Sequence, residues 1–260
     1  MEAFERVQAA RSKGRPTGTD FINHIFDDFI EMHGDRRFGD DKAIVAGIAR
    51  LNGMPVTVIA LERGHDTKEK LYRNFGSAHP EGYRKALRQM KLAEKFHRPV
   101  VCFVDTAGAF CGIAAEERGQ GEAIAENLSE MMTLKTPIIS VFIGEGGSGG
   151  AIGLAVADEV WMLENALYSV ISPEGCASIL WKDSSKVKEA ASCLRMTAED
   201  LLQLGVIERV IPEGHNQFEE VYQGLKTDLY EKRSQNAKLP IQQLLENRYN
   251  RFRRMGAGNG

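Results

Sequence analysis

The fold is decided by Ile138-Ile139-Ser140-Val141-Phe142-Ile143-Gly144-Glu145-Gly146-Gly147-Ser148-Gly149-Gly150-Ala151. Residues 138–143 form an apolar run typical of a buried strand, and residues 151–157 form a small apolar segment typical of a buried helix. Five of the nine residues from 143 to 151 are glycine. A strand, a glycine turn and a helix direct free backbone N–H groups towards one point, where they favour an anion or a developing oxyanion. We therefore expect the rest of the chain to enclose this turn.

Strands and helices alternate along the chain, which indicates an α/β fold with a largely parallel sheet. Residues 100–104 are continuously apolar, as a parallel strand buried on both faces requires. Residues 43–51 and 55–61 predict two strands joined by Asn52-Gly53, a strong hairpin signal. The glycine loops 105–112 and 144–150 each follow a strand and precede a helix, so we expect them to meet at one edge of the sheet.

The remaining elements follow from capping residues and periodicity. Predicted helices cover residues 21–30 (capped by Asp20), 80–96, 116–134, 150–158, 173–181, 198–205 and two segments of 216–253, and predicted strands cover 160–163, 168–171 and 206–211. Residues 1–20 are polar and contain Gly14, Pro16 and Gly18, which predicts an arm without a long helix.

Composition and charge exclude several classes of protein. The 260 residues are 43% hydrophobic and carry a net charge of −3, which is typical of a soluble globular protein and favours neither nucleic acid nor an acidic membrane. No apolar run approaches the ~18 residues of a membrane span, and residues 1–14 lack the apolar core of a secretory signal. The four cysteines form no C-x-x-C pair and the histidines show no metal-ligand spacing. We therefore expect free thiols, no bound metal and a cytoplasmic location.

The glycine turn also fits two well-known patterns. Gly144-x-Gly146-x-x-Gly149 matches the dinucleotide fingerprint, with Glu164 as the ribose-binding acid, but the predicted helix after it is short for a βαβ crossover. Gly146-x-Ser148-x-Gly150 matches the nucleophile elbow of a hydrolase, which needs a downstream histidine, and only His215 follows Ser148. In a third interpretation the glycines only allow a helix to pack tightly on the sheet. The density of glycine favours the anion site over all three.

Other candidate residues come from the neighbouring segments. The loop 105–112 is a plausible second source of N–H donors, because oxyanion holes usually take one donor from each of two segments. Cys111 in that loop is more typical of a packed thiol than of a nucleophile, since no partner histidine is evident. The cations Arg63, Lys68, Lys70 and Arg73 predict either a solvated surface or contacts to a phosphate or carboxylate.

Seven motifs occur along the chain in a characteristic order. They are Asp41-Lys42-Ala43-Ile44-Val45, Thr67-Lys68-Glu69-Lys70, Arg73-Asn74-Phe75-Gly76, Pro80-Glu81-Gly82-Tyr83-Arg84-Lys85-Ala86, Ala115-Glu116-Glu117-Arg118-Gly119-Gln120, Gly144-Glu145-Gly146-Gly147-Ser148-Gly149-Gly150-Ala151 and Tyr168-Ser169-Val170-Ile171-Ser172-Pro173-Glu174-Gly175-Cys176-Ala177. Together they resemble the α-subunit family of bacterial acetyl-CoA carboxylase carboxyltransferases, from about residue 20 to residue 213.

The resemblance implies a ClpP/crotonase-like ββα spiral in a single α/β domain with helical N- and C-terminal extensions. The implied division is an arm at 1–19, the carboxyltransferase domain at 20–213, and C-terminal helices with a polar tail at 214–260. The implied reaction, the first committed step of fatty acid synthesis, moves a carboxyl group from carboxybiotin on the biotin carboxyl carrier protein to acetyl-CoA and forms malonyl-CoA. The implied partners are a homologous β subunit in an α2β2 assembly, which carries the zinc, and a biotin carboxylase, where the complex uses ATP.

The resemblance also assigns the site. It implies that the N–H groups of Gly149 and Gly150 form an oxyanion hole for the ureido oxygen of biotin, while the β subunit holds the thioester enolate and most of the coenzyme A. The implied substrate-binding residues are Gly108, Ala109, Phe110, Gly146, Gly147, Ser148, Lys68 and Arg73. Backbone donors stabilise the charge left on biotin without a titratable side chain, so the chemistry needs no histidine.

One loop departs from the family pattern. The family usually has Asp-Thr-Pro-Gly-Ala-Tyr-Pro-Gly where this chain has Asp105-Thr106-Ala107-Gly108-Ala109-Phe110-Cys111-Gly112. Two prolines and one hydroxyl group are absent, so we expect a less rigid loop. The alternative to a two-subunit carboxyltransferase is a stand-alone crotonase-type acyl-CoA hydratase or decarboxylase, for which Glu117 is the nearest candidate acid.

Overall fold

The computed structural model describes residues 1–214 and 218–257, and a mixed β-sheet runs through the centre of this part of the chain. Its strands are β1 (Asp27–Glu31), β2 (Ile44–Leu51), β3 (Met54–Leu61), β4 (Val100–Thr106), β5 (Ile138–Gly147), β6 (Glu159–Leu163), β7 (Leu167–Ser169) and β8 (Arg209–Ile211). The order is β1-β2-β3-β4-β5-β6-β8, and the short β7 pairs with the end of β5. The pairs from β3 to β8 are parallel, whereas β1, β2 and β3 are antiparallel.

Helices cover the sheet. They are α1 (Ala3–Ala10), α2 (Gly18–Ile25), α3 (Thr67–Tyr72), α4 (Pro80–Lys95), α5 (Ile113–Glu117), α6 (Gln120–Thr133), α7 (Ser148–Ile152), α8 (Pro173–Leu180), α9 (Val187–Leu194), α10 (Ala198–Gln203), α11 (Phe218–Asn236) and α12 (Ile241–Arg254). In the described ranges no helix has the length and apolarity needed to cross a membrane.

The core is the sheet with the apolar faces of its helices. All seven residues of β4 are buried, as the continuous apolar run predicts. Proline at the first position starts α4, and the side chains of Tyr83, Ala86 and Met90 are fully buried on its inner face. Asn52 and Gly53 have φ of 49° and 78°, the two left-handed positions of a tight hairpin turn, and join β2 to β3 as predicted.

Several predicted elements are wrong in extent. The helix predicted at 21–30 ends at Ile25, and the apolar residues beyond it form β1, because they pair with β2. The backbone N–H of Thr17 donates to the carboxylate of Asp20 (2.8 Å), so Asp20 lies inside the first turn of α2 and is not its cap. The helix predicted at 116–134 breaks at Gly119, whose φ of 79° is left-handed, into α5 and α6.

The predicted helix 150–158 is only the five-residue α7, which begins two residues earlier, at Ser148. The predicted strands 168–171 and 206–211 shorten to β7 and β8. The patterns used here did not predict α1, α3 or α9, which are six to eight residues long and bury few apolar side chains of their own.

The N-terminal segment contains a helix and three arginines that bind it to the body of the protein. Arg6 NH1 lies 3.1 Å from a carboxylate oxygen of Glu164. Arg15 donates to both carboxylate oxygens of Glu213 at 2.7 Å and to the carbonyl of Ile143 at 2.9 Å, immediately before the glycine turn. These bidentate, partly buried contacts attach residues 1–15 to the same sheet edge as the glycine turn.

Candidate active site

The two glycine loops meet at the carboxyl ends of β4 and β5, as predicted, but the second is not a separate loop. The strand predicted at 138–143 continues through Gly147 because its end pairs with β7, and α7 follows directly at Ser148. A Cβ atom on Gly147 would lie 2.0 Å from the carbonyl oxygen of Ala107, and one on Gly150 would lie 2.5 Å from the backbone nitrogen of Ala109. Real Cβ contacts are never this short, so glycine at both positions lets the two backbones touch. The contact brings Gly108, Ala109, Gly147 and Gly150 together, four of the residues that sequence analysis assigned to the site.

The helix α7 presents its first turn at this contact. The N–H groups of a first helical turn have no partner within the helix. For Gly149 and Gly150, no side chain or loop carbonyl among the described residues accepts a hydrogen bond from the backbone N–H. Tyr83 of α4 donates its hydroxyl hydrogen to the carbonyl of Gly150 (3.3 Å), which fixes α7 against α4. The arrangement leaves two adjacent donors free for a ligand oxygen.

An apolar cavity of about 360 Å³ lies beside these donors. Its walls are formed by Ser148, Gly149, Ile152, Tyr168, Ser169, Val170, Leu201 and Val206. The ring of Tyr168 stacks on Phe142 with 4.3 Å between centroids, and burial raises the pKa of its hydroxyl above the usual value. An apolar cavity with backbone donors on one wall suits a largely neutral ligand that carries one acceptor oxygen.

The loop after β4 is held in place by hydrogen bonds. Thr106 donates its hydroxyl hydrogen to the carbonyl of Gly108 (2.8 Å), and the N–H of Phe110 donates to the carbonyl of Ala78 (3.0 Å). The side-chain amide of Gln120 donates to the carbonyl of Phe110 at 2.8 Å. The ring of Phe110 stacks on His79 at 4.0 Å between centroids, so Phe110 lies on the far side of the loop towards α4. These contacts anchor the loop without the two prolines of the family pattern.

A chain of charges lies beneath both loops. Arg63 NH1 is 3.1 Å from Asp105 Oδ1 and 2.9 Å from Glu145 Oε2. Arg11 Nε is 2.7 Å from the other oxygen of Glu145. Burial raises the pKa of Asp105 to about 6, and the charge of Arg63 opposes that rise. The prediction that Arg63 belongs to a solvated or ligand-binding surface is therefore wrong, because its guanidinium is committed to two buried carboxylates.

The other two cations predicted to bind substrate, Lys68 and Arg73, lie away from the glycine turn. Lys68 is exposed on α3, and the described residues include no ion pair to its ammonium group. Arg73 donates to the carbonyl of Lys42 (3.0 Å) and its guanidinium lies 5.4 Å from the ring centroid of Tyr72. The structure therefore brings neither cation into contact with the glycine turn.

The rival interpretations of the turn lack their partners. Ser148 is exposed and has a left-handed φ of 44°, as the serine of a nucleophile elbow does. No histidine in residues 1–214 forms a hydrogen bond with it, and His215 lies outside the described residues. Glu164 accepts from Arg6 and from the N–H of Glu213 and is thus a structural residue. The exposed Glu117 does not line the apolar cavity.

Comparison with known proteins decides the family. A family model described as acetyl co-enzyme A carboxylase carboxyltransferase-like matches residues 1–256. The chain belongs to this carboxyltransferase family. A protein of Ruminiclostridium cellulolyticum named acetyl-coenzyme A carboxylase carboxyl transferase subunit alpha is 65% identical over 256 residues, 98% of each chain. A protein of the same name from Clostridium acetobutylicum is 58% identical over 98% of this chain and 95% of its own.

Solved structures support the fold of this carboxyltransferase family member. The transcarboxylase 12S core, solved with methylmalonyl-coenzyme A and methylmalonic acid, has a TM-score of 0.68 at 20% identity and aligns with 84% of this chain and 42% of its own length. The β subunit of geranyl-CoA carboxylase from Pseudomonas aeruginosa has a TM-score of 0.66 at 16% identity, over 88% of this chain and 44% of its own. At these identities the likeness concerns the fold alone. It confirms the predicted crotonase-like α/β fold.

Proposed function

We propose that this chain is the α half of a biotin-dependent acetyl-CoA carboxylase carboxyltransferase, which transfers the carboxyl group of carboxybiotin to acetyl-CoA and forms malonyl-CoA. Family membership and the names of relatives up to 65% identical support the activity. The observation that carries the proposal is the pair of free N–H groups of Gly149 and Gly150 beside the apolar cavity of about 360 Å³.

The residues of this chain fit a biotin group on two counts. The cavity walls are mostly apolar, as the bicyclic ring and its thioether require, and Gly149, which precedes Gly150 in the first turn of α7, lines the cavity. Carboxybiotin supplies the carboxyl group when it is bound. Gly149 and Gly150 would then donate to the ureido oxygen and stabilise the negative charge that develops there, which is worth roughly 10²–10³ in rate per donor in a well-studied hydrolase.

The remaining predicted site residues take supporting roles in this proposal. Gly147 lets the two loops touch, and Gly146 lets its strand pack against the ring of Phe142 and the carbonyl of Leu167. Gly108, Ala109 and Phe110 belong to the loop after β4, and Ser148 lines the cavity. Lys68 and Arg73 would act only on a ligand that extends over α3. We assign the transferase chemistry to residues 20–213, with 1–19 and 214–260 as extensions.

We further propose that a β subunit completes the site in an α2β2 assembly. The naming of the relatives as a subunit supports a multisubunit enzyme. Val170, which lines the cavity, is 80% exposed, and Ile179 and Leu180 of the adjacent α8 are also exposed. Apolar side chains rarely remain in water when a partner is available, so the β subunit would cover this surface. Biotin on its carrier protein would enter between the subunits, with zinc on the β subunit and ATP used at the biotin carboxylase.

Reconstitution tests the function. We expect no malonyl-CoA from this chain alone and carboxyl transfer after addition of the β subunit and a carboxybiotin donor. Val170→Asp should reduce complex formation, seen by native mass spectrometry, because it places a charge in the apolar contact. An exposed control, Lys68→Ala, should assemble normally. A chain that turns over an acyl-CoA unaided would instead support the hydratase or decarboxylase alternative, and an inactive but assembled complex would reject the catalytic assignment.

A further inference from the structure

Five side chains of alternating charge connect five segments of the chain beneath the glycine loops. In order they are Asp105, Arg63, Glu145, Arg11 and Glu174. Arg63 occupies the central position between the two loops, and its side chain is only 22% exposed, while those of Asp105 and Glu145 are 7% and 10% exposed. Removing Arg63 from its two buried carboxylates leaves an uncompensated charge, so Asp105 and Glu145 depend on it, whereas Arg11 and Glu174 are partly exposed.

Arg63 lies next to the carboxyl ends of both β4 and β5, the two strands that precede the glycine loops. Asp105 lies in β4, two residues before the loop that begins at Ala107, and Glu145 lies near the carboxyl end of β5, where it pairs with Leu167 of β7. The backbone N–H of Glu145 also donates to Asp105 Oδ1 at 2.9 Å. One nitrogen of the guanidinium, Nη1, therefore lies between carboxylates at the ends of two neighbouring strands. The planar guanidinium fixes the direction of the N–H bonds on this nitrogen, whereas the ammonium group of a lysine rotates freely.

We propose that Arg63 is a positioning residue: it sets the spacing between the carboxyl ends of β4 and β5, and through that spacing the direction of the Gly149 and Gly150 N–H groups. The effect of Arg63 on catalysis rests on the proposed function, whereas its effect on the spacing of the two strand ends does not depend on that function. Arg63 acts through Asp105 and Glu145 and touches no residue of the cavity wall.

Hydrogen exchange on the chain alone tests the spacing independently of any activity. In Arg63→Gln we expect amide hydrogen exchange to become at least about tenfold faster at Glu145, whose N–H donates to Asp105, and at Phe110, whose N–H donates to the carbonyl of Ala78. Exchange in residues 100–104, within β4, should change little. Arg63→Lys should show a smaller increase. Unchanged exchange at both amides in Arg63→Gln would overturn the proposal even if the variant were less stable overall.

A matched control separates positioning from general stability. Arg248→Lys alters another buried arginine, which pairs with Asp158 near the amino end of β5, at the opposite edge of the sheet. In the reconstituted enzyme, at a temperature where all variants are folded, Arg63→Gln should lower kcat about 10²-fold with KM for acetyl-CoA within about threefold. Arg248→Lys should keep kcat. Equal losses in the two variants would assign Arg63 a purely structural role.

The pH profile gives a further readout. Arg63 and Glu145 are the charged groups that face Asp105, and Arg63 opposes the rise that burial causes in the pKa of that carboxyl. In Arg63→Gln the fall of kcat at acidic pH should therefore begin at a higher pH. In the double variant Arg63→Gln, Asp105→Asn this displaced fall should disappear. A fall that begins at the same pH in Arg63→Gln as in the wild type would contradict the proposed coupling. Absence of activity in the wild-type complex would reject the function but leave the exchange experiment decisive.

Discussion

Gly150→Ala tests whether the two glycine loops must touch for the site to work. The new Cβ would lie 2.5 Å from the backbone nitrogen of Ala109 and 2.6 Å from the carbonyl carbon of Gly108. Both neighbours are backbone atoms, so relief to the 3.4 Å of an ordinary contact requires the loops to separate by about 0.9 Å. A displacement of about 1 Å costs roughly 10²-fold in rate, and overpacking costs about 1–3 kcal/mol of stability.

Gly224→Ala is the matched control, because its Cβ would meet no atom within 4 Å and the residue lies in α11, outside the proposed site. Alanine is also the better helix former by about 0.5–1 kcal/mol, so this variant should be at least as stable as the wild type. The assay is malonyl-CoA formation with the β subunit, together with urea unfolding of each chain. We expect Gly150→Ala to lose about 10²-fold in kcat and Gly224→Ala to stay within about threefold. A folded Gly150→Ala enzyme with full kcat would refute the argument from loop contact.

Three further predictions concern titration, thiol chemistry and stability. Burial raises the pKa of Asp105 to about 6, so the folded protein should lose up to about 3 kcal/mol of stability as the pH rises from 4 to 6 and this carboxyl ionises. In Asp105→Asn, the free energy of unfolding measured in urea should change less across this pH range. Exposed Cys111 and Cys193 should react with a thiol reagent in the native chain. Buried Cys102, whose pKa is raised to about 12, should react only after unfolding, and labelling of Cys102 in the native chain would contradict this. Arg248→Met should cost about 3–5 kcal/mol in the same unfolding assay, because it removes the partner of buried Asp158, and a loss below about 1 kcal/mol would show that the pair is dispensable.

Periodicity and turn residues predicted the main elements well where one side-chain pattern dominated. The buried run at 100–104, the hairpin at Asn52-Gly53 and the amphipathic α4 were found at nearly their true bounds. Prediction failed where a short apolar segment fits either a helix or a strand. The segment 27–31 is the example, since only its pairing with β2 makes it a strand.

Charged residues were the least predictable part of the site. Arg63, Lys68 and Arg73 look alike in sequence, because each is a cation in a polar segment. In the structure Arg63 is half-buried between two carboxylates, Arg73 binds a carbonyl and Lys68 is exposed. The difference depends on which acceptors the fold places within reach, and that information is distributed over distant segments.

The sequence by itself determined the α/β class, the strand-turn-helix at 138–151 and, through its ordered motifs, the carboxyltransferase family. These features are local, because backbone conformation at glycine and the alternation of apolar residues depend on neighbours a few positions away. Only the tertiary structure decided that Gly147 and Gly150 touch the loop after β4, that an apolar cavity opens beside Gly149, and that Arg63 joins Asp105 to Glu145. Each of these depends on segments 40 or more residues apart, whose distances are set by the packing of the whole sheet.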